Sequence, residues 1–123
     1  MNSFYLNESE CKCDYTWIRH KHAHSFCTID KNTPYVCRKI NNDEIIGEVF
    51  ITFHDGTTVE QAQTILKKYN TTIMQYTCWF EDRGNPYLTA YVGENNEESF
   101  IKAISNESLV KEARKAFFAV ANV

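Results

Sequence analysis

The sequence predicts an α+β fold, an antiparallel sheet with two helices on one face, built in the order βαββαβ and preceded by a Cys/His-rich hairpin segment. Two observations set the class. Between Ile45 and Val92 the apolar residues alternate in two runs, and a third run is rich in Thr, Ile, Tyr and Trp, the marks of strands. Between and after those runs, two stretches switch to helical spacing, so strands and helices alternate in the order of a split βαβ unit.

In the first strand, Val49, Ile51 and Phe53 alternate with Glu48, Phe50 and Thr52. Asp55-Gly56 ends it. Thr58 with Gln61 three residues on makes a capping box, and Val59, Ala62, Ile65, Leu66 and Tyr69 fall on one stripe, which predicts a helix over 59–69. The Thr-, Ile-, Tyr- and Trp-rich stretch from Thr71 to Phe80 reads as the second strand, closed by the turn Asp82-Arg83-Gly84-Asn85-Pro86. The third runs from Tyr87 to Val92. Leu88, Ala90 and Val92 would face the core, with Tyr87, Thr89 and Tyr91 on the other side. Asn95 and Asn96 supply caps for a helix over 97–105, whose apolar side is Phe100, Ile101 and Ile104, and Leu109 to Phe118 is the last strand. This is the ferredoxin-like arrangement, with the second sheet face expected to stay uncovered.

The first 44 residues read differently. The stretch Tyr15 to Ile29 alternates, Asp30 to Pro34 is a turn signal, and Tyr35 to Ile40 is a short β-rich run, which predicts a hairpin. Asn41-Asn42-Asp43 marks the boundary between a segment 1–44 and a domain 45–123.

At 123 residues and 43% hydrophobic, the chain has the composition of a globular protein that can build a core without disulfides. The net charge of −3 divides as six basic and six acidic residues up to position 44, and seven basic and ten acidic beyond it. Neither part is a basic patch, so binding to nucleic acid through its phosphates is not expected. No apolar run reaches membrane-spanning length, and the start MNSFYLNESECK lacks the basic and apolar regions of a signal peptide. That start implies a cytoplasmic location if it is the native one, and otherwise leaves the location open. The triplets Asn7-Glu8-Ser9, Asn70-Thr71-Thr72 and Asn106-Glu107-Ser108 fit the glycosylation pattern, but an Asn-rich chain produces such triplets by chance.

Gly47-Glu48-Val49-Phe50-Ile51-Thr52-Phe53, Asp55-Gly56, Leu66-Lys67-Lys68-Tyr69, Tyr87 to Val92 and Val110-Lys111-Glu112-Ala113 together resemble the propeptides and propeptide-like inhibitors of subtilisin-like serine proteases, over residues 45–123. The resemblance implies a protein partner, a subtilisin-like protease, held on the open sheet face. Phe50, Tyr76, Tyr87, Thr89 and Tyr91 would form that face, and the tail Ala119, Val120, Ala121, Asn122 and Val123 would run as an extended strand into the substrate cleft. Arg114, Lys115, Phe117 and Phe118 stand where such propeptides commonly turn acidic or proline-containing.

The alternative reading places function in the N-terminal segment. Cys11, Cys13, Cys27 and Cys37 lie with His20, His22 and His24 inside 27 residues, a donor set that suits Zn²⁺ or a copper ion. On a strand, the three alternating imidazoles would project from one face. The same four cysteines could instead form two disulfides, leaving Cys78 as a free, buried thiol in the second strand, or stay as ordinary thiols. No phosphate loop, nucleophile elbow or geometrically fixed carboxylate pair occurs, so the chain is expected to bind rather than to catalyse.

Overall fold

The computed structural model describes residues 16–21, 26–27 and 35–117, with side chains from Asn41 to Phe117. Nine elements follow in order: β1 (Thr16–Lys21), β2 (Phe26–Cys27), β3 (Tyr35–Asn41), β4 (Glu44–Phe53), α1 (Val59–Lys67), β5 (Ile73–Thr77), β6 (Tyr87–Tyr91), α2 (Glu97–Ile104) and β7 (Val110–Phe117). From β4 onward the order is βαββαβ. The four strands of that unit lie side by side as β7-β4-β6-β5, antiparallel throughout, in an open sheet.

Both helices pack on one face. Val49, Ile51 and Phe53 of β4, Leu88 and Ala90 of β6, Ala62 and Leu66 of α1, and Phe100 and Ile104 of α2 belong to a single buried cluster. Helix α1 begins as its sequence dictates: the Thr58 side chain accepts from the Gln61 amide at 3.1 Å, and the Gln61 side chain accepts from the Thr58 amide at 2.9 Å. Two donors that a helix start leaves without partners are thereby satisfied.

Of the segment in which a hairpin was expected, β1 pairs antiparallel with β3 from Thr16 opposite Ile40 to Lys21 opposite Tyr35, and the turn residues 30–34 lie outside the described residues. The boundary expected at Asn41 to Asp43 falls on a hairpin turn. Asn42 and Asp43 have φ of 51° and 66°, the left-handed pair of a two-residue turn whose twist suits antiparallel strands. Through it β3 runs directly into β4, so the sheet crosses the division between 1–44 and 45–123. At the far edge, β2 pairs with β5 through Phe26 opposite Thr77 and Cys27 opposite Tyr76.

Strand β4 bends at Gly47, where its register with β7 shifts between Glu44 and Val49. Gly47 has φ of +82°, and a Cβ there would lie 2.6 Å from a ring carbon of Tyr91. Its amide donates to the buried carboxylate of Glu97 at 2.8 Å, and its carbonyl accepts from Val92 at 2.7 Å. The bend therefore ties β4 to the start of α2. Gly47→Ala is expected to cost about 2 to 3 kcal/mol, combining left-handed backbone strain with overpacking. Chemical denaturation would show it as a lowered midpoint with an unchanged slope.

A surface link joins the two helix ends. Tyr69 donates to Glu107 at 2.6 Å, and Lys68 pairs with the other oxygen at 3.0 Å. These bonds, led by that from Tyr69, hold the Glu107 carboxyl below its ordinary range. The same bond raises the Tyr69 phenol above its ordinary value. The lowered carboxyl contributes stability above the unfolded carboxylate range and loses it as pH falls. The raised phenol contributes below its unfolded value and loses it as pH rises, so the link acts between about pH 5 and pH 10. Tyr69→Phe is expected to cost about 1 kcal/mol at neutral pH and much less at pH ~3; equal losses at both would show that the phenol does not act through Glu107.

Candidate functional site

The face turned away from the helices carries Glu48, Phe50 and Thr52 of β4, Gln75 of β5, Tyr87 and Thr89 of β6, and Glu112, Arg114 and Ala116 of β7, as strand alternation and pairing require. This face is not bare, as the sequence led one to expect. Glu48, Gln75 and Ala116 are buried although they point away from the helices, so part of the face is covered. Ile45, Ala116 and Phe50 form a second small apolar cluster there, because the bend at Gly47 brings Ile45 onto the side of Phe50.

The accessible part is a band across β6, β4 and β7. The Phe50 and Tyr87 rings stack at 5.5 Å between centroids and 26° between planes, and the Arg114 guanidinium lies 4.6 Å from the Phe50 centroid. Phe50 and Tyr87 are half-buried and Arg114 is exposed. A half-buried aromatic pair topped by a guanidinium is already held in place, so little conformational entropy is lost when a partner covers it. Aromatic and arginine side chains also dominate the energetic centres of protein interfaces.

Of the residues proposed from the sequence, Phe50, Tyr87 and Thr89 share this face. Thr89 sits opposite Phe50, its hydroxyl buried and without a hydrogen-bond partner among the described residues. Tyr91 stands opposite Glu48 of the same face at the end of β6, its ring against Gly47. Tyr76 is on the core side: it packs on the main cluster and meets Phe80 edge-on at 6.4 Å. The cause is a bulge in β5, where Ile73 pairs with Ala90 but Gln75 with Thr89, so one extra residue reverses the alternation that placed Tyr76 outside. Strand β5 is also shorter than expected, ending at Thr77 in a turn that returns the Phe80 amide to the Thr77 carbonyl at 2.9 Å.

Arg114 belongs to this band, although the sequence did not place it on the open face. Its signal was its place in alternation with Glu112 and Ala116, which sets it across from Phe50 once β7 lies against β4. The tail Ala119 to Val123 lies outside the described residues. So do the side chains of Cys11, Cys13, His20, His22, His24, Cys27 and Cys37; β1 carries His20 and ends at Lys21.

Cys78 departs from the expectation of a free, buried thiol. It is exposed, just beyond β5, and disulfide-bonded. Among the described residues, no three His, Cys, Asp or Glu side chains converge as a metal site, and no helix is long and apolar enough to cross a membrane.

Comparison with protein-family models, with curated proteins and with solved structures finds no match for this chain.

Proposed function

We propose that residues 45–123 form a ferredoxin-like protein-binding module of the subtilisin-propeptide kind, acting by docking and not by catalysis, with a subtilisin-like serine protease as partner. The observation that carries this reading is the Phe50–Tyr87–Arg114 stack on the helix-free face of a β7-β4-β6-β5 sheet. The strand order supports it, because that order leaves the middle of β4 and β6 facing outward with no helix above them. Phe50 and Tyr87 supply apolar area and Arg114 a charged donor, while the tail from Ala119 to Val123 supplies the strand for the protease cleft.

Inhibition of a panel of subtilisin-like proteases tests the reading, using the full chain, a chain ending at Phe118, and Phe50→Ala. Loss of the tail is expected to abolish inhibition. Phe50→Ala is expected to weaken it ~10- to 30-fold, the effect of ~1.4 to 2 kcal/mol at an interface centre. Steady digestion of the intact chain by every protease, with no inhibition, would overturn the proposal.

A further inference from the structure

We propose that Asn70 is an acceptor for an Asn-linked glycan, a modification independent of the docking face. The sequence offers Asn70-Thr71-Thr72 only as a short triplet, and two structural observations change its weight. The first is the disulfide at Cys78. Such bonds persist in oxidising compartments, where glycan transfer to Asn-x-Ser/Thr also takes place.

The second is the setting of the residue. Asn70 lies in the turn between α1 and β5 with φ of 58°, exposed, and its carboxamide makes no hydrogen bond to any described residue. In the second described triplet, the Asn106 carboxamide donates to the Lys102 carbonyl at 3.5 Å, so Asn70 offers the freer nitrogen. Beside it opens a cleft of about 800 Å³ bordered by Asn70, Thr72, Tyr91, Asn96, Ser99 and Phe100. A first sugar attached at Asn70 would have room there, with aromatic surface and neutral polar groups at hand. The folded chain tolerates the bulk, because the turn contributes no side chain of Asn70 to the core.

In the transfer, the Asn70 carboxamide nitrogen bonds to the anomeric carbon of a polyprenyl-pyrophosphate-linked oligosaccharide. The pyrophosphate leaves with the electron pair of the broken carbon–oxygen bond, and one amide proton passes to the transferase base. No oxidant or reductant is needed.

The test is secretion of the full chain from eukaryotic cells behind a cleavable leader, followed by peptide mapping before and after enzymatic deglycosylation in ¹⁸O-water. The expected result is conversion of Asn70 to ¹⁸O-labelled Asp in most molecules that carry the Cys78 disulfide, with the glycan lost in Asn70→Gln and in Thr72→Ala. An unmodified Asn70 peptide, or a glycan on Asn106 alone, would overturn the proposal. If a variant is retained inside the cell, mapping of the retained fraction distinguishes the same outcomes, since transfer precedes export.

Discussion

Phe53→Ala is expected to lower stability by about 3 to 5 kcal/mol, the range for emptying a large, fully enclosed aromatic site. Phe53 has no exposed surface, and its ring meets that of Phe80 at 5.8 Å with a 60° tilt. Phe80 is itself 2% exposed and comes from the turn after β5. The loss therefore opens a void between β4 and that turn, and its lining cannot close without moving both. Against the ~5 to 15 kcal/mol that holds a domain of this size together, this is a large fraction. Urea denaturation measures it, and Phe50→Ala supplies the control. Phe50 lies on the same strand but on the opposite, half-exposed face, so its loss should cost less than half as much. Equal costs would refute the assignment of the two faces.

Breaking the Cys78 disulfide, by reduction or by Cys78→Ser, is expected to be comparably costly. Removing a native disulfide from a small domain typically costs about 2 to 5 kcal/mol, through the constraint that the bond places on the unfolded chain. The loss should also be local. Cys78 lies one residue beyond β5, beside the two-residue bridge by which β2 covers that edge. Amides of β5 and β2 should lose the most protection in the reduced protein, while those of α1 fall only to the new, lower limit set by global unfolding. Thermal unfolding of the oxidised, reduced and serine forms checks the global effect. Coincident midpoints for all three would show that the bond contributes nothing.

The local architecture of residues 45–123 was legible in the order of the amino acids. The Thr58–Gln61 capping box, the stripe Ala62-Ile65-Leu66 and the alternation Leu88-Ala90 each depend on neighbours within about four positions, and each is realised. These preferences act at short range, where the chain's own geometry decides which side chains meet. Whatever depends on pairing between distant segments was settled by the folded chain instead. The β5 bulge turned Tyr76 inward because register is set across the sheet by Thr89 and Ala90, not by Tyr76's own neighbours. Arg114 reached Phe50 only because β7 lies against β4, 64 positions away in the chain at that pair. The turn at Asn42-Asp43 made one sheet of two expected parts, and the bond at Cys78 recruited a cysteine that spacing alone had left over. Such contacts form only together, since closing a long loop is worthwhile only when many of them are made at once.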